Sequence, residues 1–134
     1  QGSTFLQENI HDSTITTLEY PFNVHCHIFV SWLHPFKEQR LVIIGSEGML
    51  SYEDSIKDKP LKFYAKKFEF NSAKPTIIDG PEELIQYEQK MPLTEQLIYF
   101  MDHIGRSKQK KANGQHALEV TKILVEASNQ LLKQ

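Results

Sequence analysis

The amino-acid sequence predicts an α+β fold: an open-faced, largely antiparallel or mixed β-sheet with two C-terminal helices packed on one face. Two observations carry this. Strand-like segments fill about the first 90 residues, and at Pro92 the apolar period changes from two to about 3.6. Strands first and helices last place both helices on the same side of a sheet built mostly from antiparallel neighbours. A third observation, the absence of any internal repeat or low-complexity segment, excludes a stacked repeat array.

Ser13–Tyr20 (STITTLEY) is rich in β-branched residues and reads as a strand, with Pro21-Phe22-Asn23 as the turn that follows. Residues 24–32 (VHCHIFVSW) alternate. Val24, Cys26, Ile28, Val30 and Trp32 form an expected core face, while His25, His27, Phe29 and Ser31 form a half-polar face for solvent, ligand or a partner chain. Residues 33–38 are a loop broken by Pro35, and residues 39–45 (QRLVIIG) resume as a strand. The run Leu41-Val42-Ile43-Ile44 has no alternation, which predicts a central strand covered on both sides. Gly45 and Gly48 frame a turn around Ser46-Glu47, and Met49–Glu53 is the next strand.

Residues 57–60 are a charged loop stopped by Pro60. Residues 61–70 (LKFYAKKFEF) alternate in two registers, which predicts two short strands or one bulged strand. Residues 71–75 are a polar turn, and Thr76–Ile78 and residues 84–87 are short edge strands. In the first helix Leu93, Leu97, Phe100, Met101 and Ile104 form one apolar stripe opposite Glu95, Gln96, Asp102 and His103, with Pro92 at its start and Gly105 at its end. Residues 106–112 are a basic loop. Asn113 is the expected N-cap of a helix over residues 114–133 that buries Ala117, Val120, Thr121, Leu124, Ala127, Ser128 and Leu131.

A length of 134 residues corresponds to one domain, and 40% hydrophobic content supplies material for a core. A net charge of −2 gives no electrostatic footprint for nucleic acid or an anionic membrane, and the apolar runs are strand-length rather than membrane-spanning. The single cysteine, Cys26, excludes a disulfide framework and an all-cysteine zinc site, and fits a reducing cytoplasm. Gln1-Gly2-Ser3 matches the remnant of a cleaved tag, so residues 1–3 are set aside and the domain is taken as residues 4–134, an excised piece of a longer protein.

Several residues have the chemistry for a site. His25 and His27 can chelate a metal from one strand face, but neither a structural zinc spacing nor HExxH accompanies them, and a solvated or interface face is the expectation. Cys26 points away from both neighbouring histidines, which predicts a buried, inert thiol. Lys108-Gln109-Lys110-Lys111 can attract an anion but reads as a solvated loop, and Glu82-Glu83 and Glu53-Asp54 form no evident acid–base pair. There is no GxGxxG, P-loop or GxSxG. The richest segment is residues 31–40, which gathers Trp32, His34, Lys37 and Arg40. An aromatic face there can stack on a ring while the cations hold phosphate or carboxylate; the alternative is a hairpin tip with Trp32 and Phe36 plugging the core and the charges in water.

Asn9-Ile10-His11-Asp12, the run SWLHPFKEQRLVIIGSEGML over residues 31–50, and the pattern Asn113-Gly114-x-x-Ala117-Leu118-x-Val120-x-x-Ile123-Leu124-x-x-Ala127-Ser128 occur in an order and spacing that belong together. They resemble the C-terminal domain of the Gfo/Idh/MocA oxidoreductases, in particular the branch acting on nucleotide-activated sugars such as UDP-N-acetylglucosamine uronate dehydrogenases. The resemblance covers nearly the whole chain after residue 3, and residues 31–50 carry most of its specificity. It implies a substrate-binding and oligomerisation domain of an NAD- or NADP-dependent sugar oxidoreductase, inactive alone, with Trp32, His34, Lys37 and Arg40 toward a sugar or nucleotide-sugar substrate. It also implies an N-terminal Rossmann domain as partner, holding the cofactor, and a homo-oligomer. The family's EKP-type lysine and DxGxH-type histidine have no counterpart, and His11 does not stand in for the histidine. No catalytic, cofactor-binding or metal-binding residue is therefore expected in this fragment. A non-catalytic sugar-binding or protein-interaction module reusing the fold, or a purely structural dimerisation domain, stays open beside this reading.

Overall fold

All named strand pairings among the described residues are antiparallel, and all but one join strands consecutive in the chain, the exception pairing residues 61–64 with residues 82–85. A computed structural model describes residues 1–69, 74–105 and 109–132. The chain divides into two units, Gln1–Pro35 with Met91–Gln134, and Phe36–Lys90. The class is α+β, with the two helices following the strands.

In the first unit β1 (Gly2–Ser3), β2 (Ser13–Tyr20) and β3 (Val24–Ser31) form a three-stranded sheet in that order. Residues 1–3, set aside on sequence grounds, thus form the outer strand: Gly2 lies opposite Thr14 and Ser3 opposite Ser13. Phe22 and Asn23 both take left-handed backbone (φ 63° and 58°), which reverses the chain tightly enough to set Tyr20 opposite Val24. That register carries through to Ser13 opposite Ser31 and puts Thr14, Thr16, Leu18, Cys26, Ile28 and Val30 on one face. Thr14, Thr16, Leu18 and Cys26 are half-buried there, whereas Val24, Ile28 and Val30 are exposed. The expected core face is therefore only partly covered, and Trp32 lies beyond the end of β3.

The helices of this unit are α1 (Pro92–His103) and α2 (Gly114–Leu131). Gly105 takes φ 67°, the left-handed conformation that ends helices without a Cβ penalty. Asn113 caps α2 by accepting a hydrogen bond from the His116 amide at 2.9 Å. At its far end α2 comes against β1, where a Cβ on Gly2 would meet Leu131 Cδ2 at 2.9 Å. The predicted apolar stripe of α1 is exposed, as are Ala117, Val120, Thr121, Leu124 and Ser128 of α2; only Ala127 and Leu131 of that set are half-buried. The covered side of α1 is instead Tyr99 and His103, stacked at 4.1 Å. Period predicts which side chains share a stripe, but burial needs a partner surface, and in α1 only Tyr99 and His103 have one. The Tyr99 hydroxyl accepts from the Lys110 and Lys111 amides at 3.0 Å each, and His103 Nδ1 donates to the Tyr99 carbonyl. Residues 106–108 and 133 of the expected basic loop and last helix lie outside the described residues.

The second unit holds a four-stranded sheet, β4 (Arg40–Ile44), β5 (Met49–Glu53), β6 (Leu61–Tyr64) and β9 (Glu82–Ile85), with a separate pair β7 (Lys67–Glu69) and β8 (Thr76–Ile78). Residues 61–70 do split into two strands, though Phe70 and residues 71–73 of the expected turn lie outside the described residues. Gly48 is dictated by packing: a Cβ there would stand 2.5 Å from the Phe63 ring and 2.9 Å from the Tyr64 carbonyl. The expectation for Leu41–Ile44 is corrected. β4 pairs only with β5 among the described residues, and all five of its residues are exposed, Ile44 to 71%. A continuous aliphatic run marks surface that must be covered, not what covers it.

Candidate functional site

The turn Gly45–Gly48 fixes the chemistry at the other end of its hairpin. With Ile44 opposite Met49, the ladder places Arg40 opposite Glu53. The Arg40 Nε donates to Glu53 Oε2 at 2.9 Å, while Nη2 donates to Glu38 Oε1. Glu53 in turn accepts from the Ser55 hydroxyl, and Ser55 Oγ accepts from the Gln39 amide at 3.3 Å. The Asp54 amide donates to the Gln39 carbonyl at 2.8 Å. The segment entering β4 and the segment leaving β5 are thereby buckled together.

One residue further the pattern repeats with a different carboxylate. Lys59 Nζ stands 2.6 Å from Asp54 Oδ1, which also accepts from the Tyr52 hydroxyl at 3.1 Å. The hydrogen bond from Ser55, then that from Arg40, holds Glu53 below the usual carboxylate range, and Arg40 is raised first by its bond to Glu53. Lys59, then Tyr52, with a smaller contribution from the charge of Lys37, lowers Asp54. Burial, reinforced by Asp54 and Tyr87, pushes the Tyr52 phenol up to about 12. Tyr52 is thus a protonated donor at neutral pH and not a base. Arg40 and Lys59 are ion-paired with Glu38, Glu53 and Asp54, and the charge of Lys37 near Asp54 brings the formal sum of the cluster to zero.

A second clamp holds the loop after β5. Tyr87 Oη donates to the Lys59 carbonyl and Gln89 Nε2 to the Asp58 carbonyl, both at 2.6 Å. The cleft beside them, about 200 Å³ and lined by Pro60, Leu61, Leu84 and Ile85, falls below the size of ordinary ligand pockets, and its two polar ends are spent on backbone. A larger hollow of about 330 Å³, between residues 1–3 and 13–15, contains none of the predicted site residues.

The four predicted substrate residues divide between the units. Lys37 and Arg40 belong to the second, where Arg40 is engaged by two carboxylates and Lys37 is exposed near Asp54. Trp32 and His34 belong to the first, both exposed, Trp32 to 83%. The expectation that Trp32 shares a covered face with Val30 is therefore corrected: its anchor is its backbone, whose amide donates to the Asp12 carbonyl at 2.8 Å. Asp12, only 5% exposed, is the one buried residue among those described. Its carboxylate accepts from the Phe5 and Leu6 amides, and its own amide donates to the Ser3 carbonyl, so this residue ties residues 3, 5 and 6 to the start of β2.

The remaining candidates are occupied or isolated. His27 Nδ1 lies 3.2 Å from Thr17 Oγ1, and His25 Nε2 lies 3.2 Å from Asn23 Oδ1. Among the described residues no three His, Cys, Asp or Glu side chains converge as a metal site would require. Cys26 is a free thiol, half-buried rather than fully buried. Glu82 pairs with Lys62 at 2.7 Å. The residues that sequence reasoning passed over are Ser55, Lys59, Tyr52, Tyr87 and Asp12. For the pairing of Glu53 with Arg40 a signal existed, since both lie equally far from the turn at Gly45–Gly48. No described helix is long and apolar enough to cross a membrane. Comparison with protein-family models, curated proteins and solved structures gives no match for this chain.

Proposed function

We propose that this chain is the substrate-side and assembly domain of an NAD- or NADP-dependent sugar oxidoreductase, acting on a sugar or nucleotide-sugar in the cytoplasm. The observation that carries the reading is the run over residues 31–50, the segment resembling the Gfo/Idh/MocA C-terminal domain, whose Arg40 is tied to Glu53 on the neighbouring strand. In this account Lys37, exposed near Asp54, meets the substrate. Arg40, engaged by Glu38 and Glu53, anchors the strand start that follows Lys37. Hydride transfer and cofactor binding fall to a Rossmann partner domain. The exposed apolar side chains of β3 serve contact with other copies of the chain.

Two measurements test this. Calorimetric titration of the 134-residue chain with NAD(H) and NADP(H) is expected to give no binding, and micromolar affinity for either would overturn the division of labour. In an enzyme containing this chain, Lys37→Ala is expected to raise the Michaelis constant about tenfold or more, the cost of one charge-assisted contact. Wild-type kinetics would make the loop a scaffold.

A further inference from the structure

We draw no further inference here: the strongest candidate, the exposed aliphatic edge strand β4 with Leu41, Val42, Ile43 and Ile44 open along one side of the four-stranded sheet, carries nothing because no feature of the structure shows what pairs with it or covers it.

Discussion

The open end of the β4–β5 hairpin and the faces of the β2–β3 hairpin are opposites. At the first, each of three carboxylates has a cation or hydroxyl partner, and the ladder, the loop and the side chains agree. At the second, the ladder is complete but Val24, Ile28, Phe29 and Val30 stand in solvent. Polar groups in this chain satisfy one another at short range, whereas its apolar surface is left over. Charge-assisted hydrogen bonds need only a few neighbouring residues in the right register; apolar burial needs a second surface of comparable size. What the described residues leave exposed is therefore apolar surface, and that surface is the physical support for the binding and assembly role proposed above.

The largest effect on this contrast is expected from Asp12→Ala. Removing a buried acceptor of two backbone amides should cost about 1.5–3 kcal/mol by denaturant titration, and Asp12→Asn, which keeps an acceptor oxygen, should cost less. Equal effects of the two would mean that the charge itself matters and not the bonding. Next is Gly48→Ala. A Cβ overlapping the Phe63 ring and Tyr64 carbonyl should destabilise the hairpin by about 1–3 kcal/mol and loosen the Arg40–Glu53 register with it. Unchanged stability would show that the turn can shift without disturbing the buckle.

Asn113→Ala should cost about 1 kcal/mol through loss of the α2 cap, with Asn113→Ser restoring most of it in the same thermal melts. The smallest expected effects are those of pH on the neutral cluster. Glu53 and Asp54 have lowered values in the folded chain, so their contribution is present above the ordinary carboxylate range and is lost as pH falls. Tyr52 has the opposite sign: its contribution is complete below about 10 and disappears as pH rises toward 12. Ultraviolet titration should show one phenol ionising about two pH units late, a phase that Tyr52→Phe removes. Ionisation of Tyr52 in the ordinary phenol range would contradict its desolvation and its bond to Asp54.

Much of this architecture is legible in the sequence where the cause is local. The β-branched run Ser13–Tyr20 forms the strand it predicts, Pro92 and Gly105 bracket α1, and Asn113 caps α2. The strand expected at residues 84–87 forms two residues earlier, at Glu82–Ile85, because its start is set by pairing with Tyr64 rather than by its own composition. Burial was the least legible property. The stripe of Leu93, Leu97, Phe100 and Met101 is correct as a stripe, yet Tyr99 and His103 take the covered side because a tyrosine hydroxyl found two backbone donors. Arg40 shows the same limit at the candidate site. Its charge identifies it as a ligand for an anion, and only the strand register reveals that the anions are Glu38 and Glu53.

The most direct test of the contrast between closed charge and open apolar surface is the mass of the chain in solution, measured by light scattering at micromolar concentrations. The account predicts a dimer or larger assembly that Phe29→Glu, a change on the His25/His27 face of β3, converts to monomer while far-ultraviolet circular dichroism is unchanged. A wild-type chain that stays monomeric, with its melting temperature independent of concentration, would contradict it.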